Sequence, residues 1–118
     1  MEKPTKELVE KFVDSEYEIH EDGSVSVFGD VDISRLWLKK IPFKFRSVDG
    51  YFTCASNQLT SLDGVPDNIG KCFDCSGNNL TSLCGAPNRV GGSFDCSYNS
   101  LTSLKGAPEI IQGGFNCK

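Results

Sequence analysis

The chain has 118 residues, 38% of them hydrophobic and 24% charged, with a formal net charge of −4. That length suits one domain. No apolar run reaches the ~20 residues of a membrane-spanning helix, and the charged opening MEKPTKELVEK lacks the apolar stretch of a secretory signal, so a cytoplasmic location without a membrane partner is expected.

Residues 1–30 read as a cap. Pro4 and Thr5 are suited to start a helix, and Leu8, Val9, Phe12 and Val13 fall on one apolar face. Tyr17 and Ile19, a turn near Asp22-Gly23, and then Val25 and Val27 read as a hairpin. So short a segment does not make a separate domain.

From Phe52 onward the sequence repeats every 21 residues. Phe52, Phe73, Phe94 and Phe115 are in phase, as are Cys54, Cys75, Cys96 and Cys117. Asn57, Asn78 and Asn99 follow, then Leu59, Leu80 and Leu101, and Leu62, Leu83 and Leu104. Pro66, Pro87 and Pro108 close each unit. A fixed period of this length predicts a solenoid and disfavours most catalytic folds. Phe-x-Cys alternates as a short strand with one buried face does. Asparagine suits the corner that follows, because its side chain bonds main-chain groups that no strand partner satisfies. Stacked turn on turn, the asparagines should form a ladder, with the leucines filling the core. Glycine and proline on the return oppose a regular helix.

One period before Phe52, residues 31–51 read as a degenerate unit. Val31 and Ile33 take the strand places, Leu38 and Ile41 the leucine places, and Leu36 replaces the ladder asparagine. Residues 52–114 hold three full repeats. Residues 115–118 begin a fifth strand and end one residue after Cys117, inside a repeat, so Phe115, Leu101 and Leu104 should be thinly covered. Such an edge invites strand pairing. A homodimer, a monomer whose edge is blunted by Asn116 and Lys118, and an edge covered by a partner all remain open.

The run from phenylalanine to leucine resembles the leucine-rich repeat consensus L-x-L-x-x-N-x-L, with Phe and Cys in the first two apolar places. The short period and proline-containing return resemble the bacterial type of that family. Tandem FDCSxNxLTSLxGAP units also resemble small leucine-rich proteins carried by tailed phages. The expected fold is therefore mainly β: a short leucine-rich repeat solenoid of parallel strands, about five coils, forming a single domain over 1–118 with an N-terminal helix and hairpin cap.

Cysteines in one inward column, about 4.8 Å apart, point the same way rather than at each other, which disfavours disulfides. They read as buried thiols acting as small hydrophobes. A line of thiols also lacks the convergence of a metal site. Cys72 and Cys84 lie off the column and should be more exposed.

Charge is uneven: residues 1–32 hold ten acids and three bases, residues 33–47 five bases and no acid. With Trp37, Phe43 and Phe45, the basic run has the composition of a nucleic-acid patch. Leu38, Ile41 and Phe45 instead suit the core of the first coil, with lysines snorkelling around it, so nucleic acid is not the expected partner.

In leucine-rich repeat proteins the outward strand positions form a concave face that binds proteins or peptides. Here they are Asp32, Thr53, Asp74, Asp95 and Asn116. Tyr51, Tyr98 and Trp37 flank that stripe, and exposed aromatics with a polar rim are typical hot spots. The aspartates would suit a basic partner surface; the competing reading is that they keep a flat sheet soluble. His20 is the only histidine, and no Cys-His or Ser-His arrangement follows from the spacing. Recurrent Gly91-Gly92 and Gly113-Gly114 lack the context of a phosphate loop, and the aspartates lack an oxygen cage for calcium. The expectation is a non-enzymatic interaction module with no catalytic, cofactor or metal site. The phage resemblance implies a host protein as partner, bound and inhibited in the host cytosol, for instance an antiviral defence factor. Alternatives are self-assembly through the C-terminal edge and, more distantly, acidic mimicry of nucleic acid.

Overall fold

The computed structural model describes residues 3–116, without the side chain of Asn116. From Val31 the backbone advances in 21-residue turns. Strand β3 (Val31–Asp32) pairs in parallel with β5 (Phe52–Thr53), placing Val31 beside Phe52 and Asp32 beside Thr53. The same register joins β5 to β7 (Phe73–Asp74), β7 to β9 (Phe94–Asp95), and β9 to β11 (Phe115–Asn116). Equivalent side chains therefore stack on one another, and the chain is a β-solenoid of about four turns.

The return leg carries a second parallel sheet, which the repeat pattern did not reveal. It contains β4 (Phe45–Val48), β6 (Asn68–Ile69), β8 (Arg89–Val90) and β10 (Ile110–Ile111). Its strands after β4 are two residues long, too brief for a period-two pattern to stand out. They still alternate: Asn68 and Arg89 are exposed, while Ile69 and Val90 are buried.

Apolar residues from both sheets and both corners meet inside. Phe52, Phe73 and Phe94 are fully buried, with ring centroids 5.9 and 5.2 Å apart. Leu59, Leu62, Leu80 and Leu83 fill the corner, and Cys54, Cys75 and Cys96 line the floor beneath the strands. No disulfide joins the described cysteines; Cys72 and Cys84 are exposed, and Cys117 lies outside the described residues. Burial pushes the Cys54 and Cys75 thiols well above the ordinary range, since a thiolate has no water there.

The asparagine ladder binds the turns. Asn78 Nδ2 donates to the carbonyls of Cys54 (3.1 Å) and Cys75 (3.0 Å), while its Oδ1 accepts from Leu59 N (3.0 Å). Asn57 repeats this with Ile33 and Cys54, and Asn99 with Cys75 and Cys96. At the first turn Leu36 stands in the ladder position and is exposed; Asn57 Oδ1 accepts from its N–H instead.

The cap forms as expected, with a shorter helix. Thr5 caps α1 (Lys6–Glu10) through a 3.2 Å bond from Leu8 N to its Oγ1. Phe12 and Val13 follow in a turn whose N–H groups both bond to Val9 O, and Val9 and Val13 are buried. Strands β1 (Tyr17–Ile19) and β2 (Val25–Val27) form the antiparallel hairpin, and β2 then pairs in parallel with β4. The hairpin thus extends the return sheet, while Val31, Ile33, Ile41, Phe43 and Phe45 build the buried first coil. The basic run is tied into the framework: Lys44 Nζ donates to Val65 O, and Arg46 Nε donates to Ser24 Oγ.

At the far end of the stack cover thins. Leu101 is half-buried, while Leu104 and Phe115 are exposed, as the sequence suggested.

Candidate functional site

The outer face of the strand sheet carries the residues singled out from the sequence. Asp32, Thr53, Asp74 and Asp95 stand in one column, one per turn, by the register of their strands. Asn116 continues that column through its pairing with Asp95, although its side chain lies outside the described atoms.

These side chains have a local role that charge alone did not reveal. Asp32 Oδ1 accepts from Ser34 N (3.0 Å) and Ser34 Oγ (2.6 Å). Asp95 Oδ1 does the same with Ser97 N (2.9 Å) and Oγ (2.6 Å), and Asp74 Oδ1 accepts from Ser76 N (2.9 Å). Thr53 Oγ1 accepts from Ala55 N. Each of these four outward residues therefore caps the backbone as it leaves the strand. The Asp-x-Ser spacing was the available signal, because an Asp side chain bonds the main chain two residues on. The Ser34 hydroxyl and N–H hold the Asp32 carboxyl below its usual range. In all three aspartates these bonds use Oδ1, which leaves Oδ2 uncommitted among the described residues.

Just past this column the chain turns through a left-handed residue in every coil. Arg35 (φ 57°), Ser56 (57°), Gly77 (67°) and Tyr98 (56°) share one repeat position. Only glycine takes this conformation without steric cost. Tyr98 nonetheless occupies it with 74% of its surface exposed, and Trp37, also left-handed (φ 60°), is 78% exposed. Leu36, missed from sequence, is exposed beside Trp37. Tyr51 lies across the column at the strand entry, partly exposed, its N–H bonded to Asp30 Oδ1. The fold thus gathers the acidic column, Tyr51 and Tyr98 on one face, with Trp37 at the corner of the first turn.

Sequence spacing suggested no Ser-His arrangement, yet the hairpin makes one. His20 Nε2 lies 2.8 Å from Ser26 Oγ, and Ser47 Oγ donates to Ser26 Oγ at 3.2 Å. Glu18 Oε1 approaches the same nitrogen, at 3.9 Å. A hydrolytic triad needs its acid on the opposite ring nitrogen, and Ser26 is buried. This cluster braces the hairpin against β4. Among the described residues no group of three His, Cys, Asp or Glu side chains could hold a metal ion, and no helix is long and apolar enough to cross a membrane.

Comparison with protein-family models, with curated proteins and with solved structures finds no match.

Proposed function

We propose that this chain is a protein-binding module of the leucine-rich repeat kind, engaging its partner with the strand-sheet face and adjoining corner. One observation carries the reading. The two most exposed aromatics, Trp37 and Tyr98, both sit in left-handed backbone. A bulky side chain costs stability there, and such retained cost is characteristic of functional positions. Beside them, Asp32, Asp74 and Asp95 supply Oδ2 atoms that are uncommitted among the described residues and suit a basic partner surface, while Tyr51 supports the opposite rim. Aromatic anchors would give affinity and the carboxylates would steer approach.

The repeat wording FDCSxNxLTSLxGAP favours a phage origin and a cytosolic host protein as the target, held inactive by occlusion. Tagged protein would be used to capture partners from bacterial lysate, beside an Asp74→Ser/Asp95→Ser/Tyr98→Ala variant checked for folding by circular dichroism. Serine can retain the capping role that Thr53 performs. One host protein kept by the parent and lost by the variant supports the proposal. Equal capture by both removes this face from consideration.

A second reading has its own observation. At the β10–β11 end of the stack Phe115 is 41% exposed and Leu104 54%, which suits self-association edge to edge. A mass that rises with concentration, and falls when Leu104 and Phe115 are replaced by serine, would favour it.

A further inference from the structure

Leu36 and Trp37 form an apolar pair that the solenoid does not bury. Their side chains are 47% and 78% exposed at the corner of the first turn. The same two positions in the later turns hold the polar pairs Asn57-Gln58, Asn78-Asn79 and Asn99-Ser100. Asn57 already caps the first corner by accepting from the N–H groups of Leu36 and Leu38, so the framework gives no reason for apolar side chains there. Trp37 also holds left-handed backbone (φ 60°), which is costly for a bulky residue.

The surroundings of this pair are basic. Residues 33–47 contain five bases and no acid. Lys39 and Lys40 follow on the same loop, both exposed, and neither makes an ion pair among the described residues. Lys40 borders a cavity of about 440 Å³ beside the start of α1, and Lys3 stands at the same cavity, likewise exposed and without an ion pair among the described residues. Pro4, Leu8, Ile41 and Pro42 give that cavity apolar walls, and no acid lines it.

An exposed apolar tip beside three such lysines fits a bilayer surface better than a folded partner. A folded protein must present a matching pocket, whereas a fluid headgroup layer yields around an indole. Tryptophan settles at that layer, its ring in the apolar boundary and its N–H wet. Each lysine beside it favours anionic lipid by about five-fold. Contact of this kind needs no membrane-spanning run.

We infer that the corner of the first turn docks reversibly on an anionic phospholipid surface, with Leu36 and Trp37 inserted at headgroup depth and Lys3, Lys39 and Lys40 against the lipid phosphates. This goes beyond the protein-binding reading, which is tested at Asp74, Asp95 and Tyr98. Trp37 is the only tryptophan, so its emission reports on this corner alone. The probe is unilamellar vesicles of phosphatidylglycerol and phosphatidylcholine in equal parts, at low salt. A blue shift of Trp37 emission and co-sedimentation with these vesicles are expected, and neither with phosphatidylcholine alone. Lys39→Glu/Lys40→Glu should weaken partition by about 25-fold or more. Leu36→Ser/Trp37→Ser should stay in solution at a lipid concentration that sediments half of the parent. The Asp74→Ser/Asp95→Ser/Tyr98→Ala variant should partition no more weakly than the parent, and circular dichroism checks the folding of each variant. Absence of the blue shift, equal binding to phosphatidylcholine alone, or undiminished partition of the lysine variant would overturn the proposal. So would an equal shift with duplex DNA in place of vesicles, since it would assign the corner to polyanions in general.

Discussion

Asn99 Oδ1 accepts the N–H of Leu80, a residue of the preceding turn, at 3.0 Å, and its amide nitrogen donates to Cys75 O in that turn and to Cys96 O in its own. One side chain thus ties two coils together where a corner leaves strand-like groups without partners. Asn78 makes the same set of bonds and is more deeply buried. Removing it strands buried main-chain groups at about 1–3 kcal/mol each. Asn78→Ala should therefore lower unfolding free energy by about 3 kcal/mol, and Asn99→Ala by less. Urea denaturation of both variants checks the order.

The phenylalanine column gives a larger effect. Phe73 is fully buried between Phe52 and Phe94, and Phe73→Ala should cost about 3–5 kcal/mol through the cavity it leaves. A domain of this size has only about 5–15 kcal/mol in total. Loss of cooperative thermal unfolding in this variant is the expected result.

The left-handed corner predicts opposite signs for stability and binding. Tyr98→Gly should raise stability by about 1 kcal/mol through relief of backbone strain while weakening partner capture. Ser56→Gly, at the same repeat position two turns earlier, should stabilise to a similar extent without affecting capture. Unfolding curves and a binding assay on both variants separate the two effects.

Acid sensitivity should arise in the cap. Hydrogen bonds from the Ser24 hydroxyl and N–H, with Arg46 adding to them, bring Asp22 down to about 2 from an ordinary 3.8. A depressed carboxyl contributes stability that is fully present above its unfolded value and is lost as pH falls through the folded one. Asp22 should thus contribute in full above about pH 4 and lose its contribution between about pH 4 and pH 2. Asp22→Asn should flatten the stability profile across that window, measured by thermal melts at stepped pH.

The columns that build the fold were legible because each recurs in register and does one physical job. Phe52, Phe73 and Phe94 fill, Asn57, Asn78 and Asn99 tie, and Leu59 and Leu80 pack. The return sheet was not, since Asn68–Ile69 and Arg89–Val90 offer only two residues of alternation apiece. Of the left-handed corner the sequence shows only Gly77; Arg35, Ser56 and Tyr98 adopt the same φ against their preferences. Asp74 and Asp95 were read as charge, whereas their first partners are the N–H groups of Ser76 and Ser97.

Amide hydrogen exchange, with and without the captured partner, tests the binding face most directly. Slowed exchange within residues 32–37, 53–56, 74–77 and 95–98 is the result expected of a partner seated on the strand-sheet face. Protection confined to β10 and β11, or an unchanged pattern over those four segments in a saturated complex, would contradict it.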